Sequence, residues 1–95
     1  MIWNIEYHNE VKEDLKSIDN HDREIILKTI EKKLSFEPEK YGRPLRADLK
    51  RFWKLKIGDY RVVYKIEKAK VVVIIVAVGY RRDFEVYKTA VKRVH

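Results

Sequence analysis

Lys54, Lys56 and Arg61 are the residues of this chain whose type and spacing could do chemistry. They lie in the segment 53–64, where apolar and basic residues alternate, the period of a half-buried strand. Gly58-Asp59 is a Gly-X pair suited to a two-residue hairpin turn. Such a turn pairs Ile57 with Tyr60, Lys56 with Arg61, Leu55 with Val62 and Lys54 with Val63. One face then carries Trp53, Leu55, Ile57, Tyr60, Val62 and Tyr64, and the other carries the three cations. Like charges directly opposite on a sheet are destabilising, and a bound polyanion reverses that sign. Phosphate is the ligand chemistry this points to, with a solvated basic face as the alternative.

Further cations follow. Arg81 and Arg82 leave the end of a strongly apolar segment, Tyr87 sits one turn into a predicted helix, and Lys92 and Arg93 close it. Positive charge combined with aromatic stacking surfaces suits nucleic acid. Cleaving RNA asks for more. A 2′-hydroxyl must be deprotonated, charge on the phosphate stabilised, and the leaving 5′-oxygen protonated. His8, His21 and His95 are too scattered to advertise a proton-transfer pair or a metal site. A lysine can be the base only if its pKa falls well below about 10.4, and neighbouring cations push in that direction. No P-loop, G-x-G-x-x-G or serine elbow is present, which sets aside the common nucleotide-binding and hydrolase motifs.

The elements that must hold these residues can be read in turn. Residues 1–7 alternate as a strand. Val11, Leu15 and Ile18 recur at helical spacing, and Ile26, Ile30 and Leu34 form the stripe of a second helix, with Asp19, Asn20 and Asp22 as candidate N-caps. A short turn between them predicts a helical hairpin. Residues 35–50, with Pro38, Gly42 and Pro44, read as an irregular connection. Strands are predicted over 51–57, 60–67 and 70–79. Val71 to Val78 is apolar on both faces, the mark of the most buried strand. Asp83 is a candidate N-cap for the last helix. The expectation is an α+β domain, β-α-α-β-β-β-α: a mostly antiparallel sheet of about four strands, an N-terminal helical hairpin and a C-terminal helix, with helices on one face. A regular two-residue turn at Lys68-Ala69 puts Arg81 on the face opposite Arg61, and a bulge at Gly79 would re-aim it.

Ninety-five residues fit one domain, 1–95. The net charge of +7 is uneven: residues 1–48 hold nine Lys/Arg against eleven Asp/Glu, and residues 49–95 hold thirteen against four. A concentrated positive field favours an acidic partner, nucleic acid above all. The longest apolar run is far short of a membrane span, and no basic segment has the one-sided apolar face needed to lie on a bilayer. With no cysteine and no signal-like N-terminus, a cytoplasmic protein without disulfides is expected.

Lys54-x-Lys56-x-Gly58-Asp59-Tyr60-Arg61-x-x-Tyr64, then Val78-Gly79-x-Arg81, then Glu85-Val86-Tyr87, resembles the RelE toxins of the RelE/ParE superfamily. The likeness runs through nearly the whole chain, including Leu45, Leu49 and the ending Ala90-Val91-Lys92-Arg93. The Gly58-Asp59 turn is tighter than the loop of some RelE relatives. The resemblance implies a ribosome-dependent endoribonuclease that enters the A site and cuts mRNA, leaving a 2′,3′-cyclic phosphate and a 5′-hydroxyl. It implies Lys54 as general base, Lys56 and Arg61 as stabilisers of the pentavalent phosphate, Arg81 as acid or charge stabiliser at the leaving oxygen, and Tyr87 stacked on the bases. Lys50, Arg51, Arg82, Lys92 and Arg93 would contact ribosomal RNA. No metal or cofactor is implied, and a RelB-like antitoxin would mask the basic face or displace the last helix. A ParE-like inhibitor of gyrase with the same fold, and a non-catalytic nucleic-acid or antitoxin-binding module, are the alternatives.

Overall fold

The computed structural model describes residues 2–46, 51–81 and 83–94, the side chain of Phe84 excepted. Lys50, Arg82 and Leu49 lie outside the described residues. The chain runs β1 (Asn4–Tyr7), α1 (Val11–Lys16), α2 (Asn20–Thr29), a π-helical turn (Ile30–Leu34), α3 (Pro38–Tyr41), β2 (Arg43–Pro44), β3 (Trp53–Ile57), β4 (Tyr60–Glu67), β5 (Val72–Tyr80) and α4 (Asp83–Val94). Asp19 caps α2, its carboxylate accepting the Asp22 N–H at 2.9 Å. The predicted irregular connection is partly ordered. Pro38 opens α3, and the two residues of β2 add a fifth strand beside β3.

The sheet order is β1-β5-β4-β3-β2, antiparallel except for β1 against β5. The hairpin register is Ile57 to Tyr60 through Lys54 to Val63, with Gly58 at φ 57° in the turn. That conformation is strained for residues with a Cβ. Side chains alternate across the sheet, and both faces are covered. Leu55, Val62, Tyr64, Val73 and Ile75 meet Val11, Ile18, Ile26, Ile30 and Leu34 on one face, while Val63, Val76 and Ala77 meet Val86 and Ala90 of α4 on the other. The expectation of helices on one face is thus corrected. A strand apolar on both sides needs cover on both sides, and α4 supplies the second.

Tyr64 is fully buried and donates to the Pro38 carbonyl at 2.6 Å, which ties α3 to β4. Gly42 makes room for it, since a Cβ there would stand 1.7 Å from the Tyr64 hydroxyl. Trp53 stacks beside Tyr64 at 6.4 Å.

The β4–β5 connection is longer than two residues. Glu67 pairs with Val72 across a short helical turn, Lys68–Lys70, and Val71 in the left-handed conformation. The bulge lies at Val76 rather than Gly79. Val63 pairs with Ala77 but Tyr64 with Ile75, so Val76 is the extra residue and the register shifts by one. This shift brings Gly79 opposite Arg61, on the α4 face. Val86 fills the space that a Cβ on Gly79 would need, 2.5 Å from its Cγ2. Gly79 therefore lets the first turn of α4 sit close to the sheet, above the cations.

Candidate active site

β3 and β4 place Lys54, Lys56 and Arg61 on the face that α4 covers, since Lys54 pairs with Val63 and Lys56 with Arg61. The first turn of α4 supplies the rest. Asp83, its first residue, sits between the two strands' cations: its Oδ1 accepts from Arg61 Nε at 2.8 Å, and its Oδ2 lies 4.0 Å from Lys54 Nζ. Tyr87 stands one turn further along, its hydroxyl donating to Asp83 Oδ2 at 3.4 Å and its ring centroid 5.9 Å from Lys54 Nζ. Lys54, Arg61, Asp83 and Tyr87 thus form one cluster.

The cluster is partly shielded. Side-chain exposure is 23% for Lys54, 14% for Arg61 and 36% for Asp83. Arg61 is also pinned from behind, donating to the carbonyls of Gly58 at 3.1 Å and Tyr60 at 3.0 Å. A guanidinium with so many fixed bonds is preorganised to hold an anion. Burial, with the Asp83 carboxylate beside it, pushes the Tyr87 phenol up to about 12. The hydroxyl keeps its proton at neutral pH and acts there as a donor.

Lys56 is exposed and opposite Arg61. Arg81 stands at the hairpin tip, beside Asp59 and Tyr80. Its N–H donates to the Asp59 carbonyl at 2.6 Å, and its 62%-exposed guanidinium lies 3.7 Å from the Asp59 carboxylate and 5.3 Å from the Tyr80 ring. On the other face of the sheet Tyr60 donates to Asp22 at 2.8 Å, and that bond to a carboxylate, above all, raises its phenol to about 12.

The remaining basic residues separate. Arg51 and Lys92 are exposed. Arg93 turns into the protein, where it pairs with Asp14 at 2.7 Å and donates to the Val76 carbonyl at 2.8 Å. Among the described residues, no group of three His, Cys, Asp or Glu side chains is arranged to hold a metal ion, and no helix is long and apolar enough to cross a membrane.

Three acidic residues of this arrangement escape a reading of spacing: Asp83, which reads as a helix cap, Asp59, which reads as a turn residue, and Asp14, which reads as an outward helix position. Composition held a signal for two of them. The basic half has only four carboxylates, and Asp59 and Asp83 are two of the four. An isolated acid amid many cations is a candidate partner for several of them.

The fold has known counterparts. The family model described as the ParE toxin of type II toxin-antitoxin system, parDE, matches residues 5–84. The mRNA interferase toxin RelE of Escherichia coli (strain K12) is 49% identical over 41 residues, a stretch covering 43% of this chain and 43% of that relative's length. The toxin–antitoxin complex RelBE2 of Mycobacterium tuberculosis contains a chain with a TM-score of 0.82 and 25% identity, covering 85% of this chain and 93% of that one. The free E. coli toxin RelE, in a form with two arginines replaced by alanine, aligns over 100% of both chains at a TM-score of 0.74 and 26% identity. The chain belongs to the RelE/ParE superfamily of toxins of type II toxin–antitoxin systems.

Proposed function

We propose that this toxin is a ribosome-dependent endoribonuclease that cuts mRNA in the A site by attack of a 2′-hydroxyl on the adjacent phosphate. The observation that carries the reading is the convergence of Lys54, Arg61 and Tyr87 on the α4 face, one ammonium, one guanidinium and one protonated phenol within a single cluster. The likeness to a relative named an mRNA interferase supports it.

The chemistry follows from these groups. Lys54 is the proposed base that takes the 2′-hydroxyl proton. The oxygen attacks phosphorus while Arg61 and Lys56 balance the extra negative charge of the pentavalent phosphate. The bond from phosphorus to the 5′-oxygen then breaks, giving a 2′,3′-cyclic phosphate and, once the leaving oxygen gains a proton, a 5′-hydroxyl. Arginine holds its proton beyond pH 12, so charge stabilisation at the leaving oxygen is the role that suits Arg81. Tyr87 offers a ring for stacking and a hydroxyl for orientation. A RelB-like antitoxin is the proposed partner, since RelE–RelB complexes stand among the structural neighbours. Exposed Arg51 and Lys92, with Lys50 and Arg82, would contact ribosomal RNA.

The test is translation of a defined mRNA in a purified system with and without ribosomes, mapping ends by primer extension. Cuts within A-site codons that need ribosomes support the reading. Intact mRNA with normal translation overturns it. The ParE description of the family favours a second reading, inhibition of gyrase. It is supported instead by loss of supercoiling activity with translation intact.

A further inference from the structure

We propose that Asp83 is a built-in stand-in for the RNA phosphate, and that engaging RNA at this face requires the Asp83 carboxylate to give up Lys54 and Arg61. The proposal rests on the reading that this face binds RNA.

The geometry points to this role. The carboxylate lies between the two shielded cations, 2.8 Å from Arg61 Nε and 4.0 Å from Lys54 Nζ. A phosphate oxygen bridging those two cations would need the same place. The residue belongs to α4 and not to the β-hairpin that carries the two cations. It is the first residue of α4, so its position is tied to that of the helix's first turn. Tyr87, one turn on, donates to the same carboxylate and would be released with it. Three groups that could meet RNA are therefore engaged by one internal anion. The anion also eases the like-charge problem of the hairpin, since it compensates Arg61 and Lys54.

Two anions cannot share the site, because their mutual repulsion adds to the lost pairing. RNA affinity thus carries the work of breaking the Asp83 contacts. Removing only the charge lifts that penalty while leaving Lys54 and Arg61 in place.

The experiment measures binding of a short single-stranded RNA, made uncleavable by 2′-O-methyl substitution at each position, to the purified chain. Asp83→Asn keeps the shape and removes the charge, and Asp83→Glu keeps the charge. Glu24→Gln, at an exposed carboxylate of α2 paired to Lys28, makes the same change in net charge elsewhere. Circular dichroism confirms that each variant is folded. Asp83→Asn is expected to tighten binding about fivefold or more, as suits the loss of a competing charge-assisted contact. Asp83→Glu should stay near the parent, Glu24→Gln should change little, and Lys54→Ala should abolish the gain in the Asp83→Asn background.

Equal gains from Asp83→Asn and Glu24→Gln would reduce the effect to net charge and overturn the proposal. Binding that depends on Lys54 but ignores Asp83→Asn overturns it while leaving the RNA-binding reading intact. RNA binding indifferent to Lys54→Ala, or absent from every variant, overturns the proposal, while the ribosome-dependent function is judged by its own cleavage test.

Discussion

Arg93 of α4 and Asp14 of α1 meet in a two-pronged ion pair, the guanidinium donating to Oδ2 at 2.7 Å and to Oδ1 at 2.8 Å. Asp14 also accepts the Val78 N–H at 3.0 Å, and Arg93 donates to the Val76 carbonyl at 2.8 Å. β1 pairs only with Val72 to Ile75. Beyond it the β5 edge meets no strand among the described residues, and the ion pair satisfies the backbone there in a strand's place. It also satisfies the carbonyl of the bulged residue.

Arg93 should therefore matter for folding before it matters for RNA. Its side chain is 9% exposed and that of Asp14 is 15%, so removing one partner leaves a largely desolvated charge. Arg93→Ala is expected to cost about 2–3 kcal/mol, seen as a fall in Tm of roughly 10 °C or more for a domain of this size. Lysine cannot reproduce the fork, so Arg93→Lys should recover only part. An unchanged Tm with weakened RNA binding would return Arg93 to the nucleic-acid interface.

Gly79 and Val86 set the height of α4 above the cations. A methyl group on Gly79 would meet Val86 Cγ2 at 2.5 Å, too close for ordinary contact. Gly79→Ala is expected to destabilise by about 1–3 kcal/mol through overpacking. Trimming the neighbour in Gly79→Ala/Val86→Ala should cost less than the two single changes summed, the sign of direct coupling. Additive costs in urea denaturation would show that the helix adjusts without strain.

Much of this was legible in the chain, and the reasons differ by element. The β3–β4 register followed from Gly58-Asp59, because a two-residue turn allows one pairing, and strict alternation then assigns every side chain to a face. The cover on both faces of β5 was written in the apolar run Val71 to Val78, although the order of elements alone predicts helices on one face. The bulge at Val76 was hidden by that same run, since an unbroken apolar stretch carries no alternation for an extra residue to disturb. The cluster was only half visible. Lys54 and Arg61 lie near one another through local pairing, but Asp83 reaches them only by tertiary docking of α4. Arg93 reads as a contact to RNA in the sequence because its partner, Asp14, lies 79 positions earlier.

Tyr60 and Tyr87 tie stability to alkaline pH. The carboxylate partner of Tyr60 and the burial of Tyr87 raise both phenols from 10.0 to about 12. A folded pKa above the unfolded one means that the folded state favours the protonated phenol. That contribution is complete below pH 10 and is lost as pH rises toward 12. Absorbance at 295 nm should show these tyrosines ionising late, with stability falling over the same interval. Tyr60→Phe should remove one late-titrating group. If that variant loses a group that titrates near pH 10, the bond from Tyr60 to Asp22 does not persist in solution.

The proton chemistry separates Lys54 from its neighbours. A general base must lose a proton, and an arginine in its place cannot do so near neutral pH. Lys54→Ala and Lys54→Arg should both slow ribosome-dependent cleavage by about 10²–10⁴ in single-turnover measurements. Lys56 is proposed to supply only charge, so Lys56→Arg should keep most of the rate that Lys56→Ala loses. Arg61→Lys should fall well below the parent, because a lysine cannot reproduce the fixed bonds that Arg61 makes to the Gly58 and Tyr60 carbonyls. Full activity in Lys54→Arg would remove the base from that position and make Lys54 another source of positive charge.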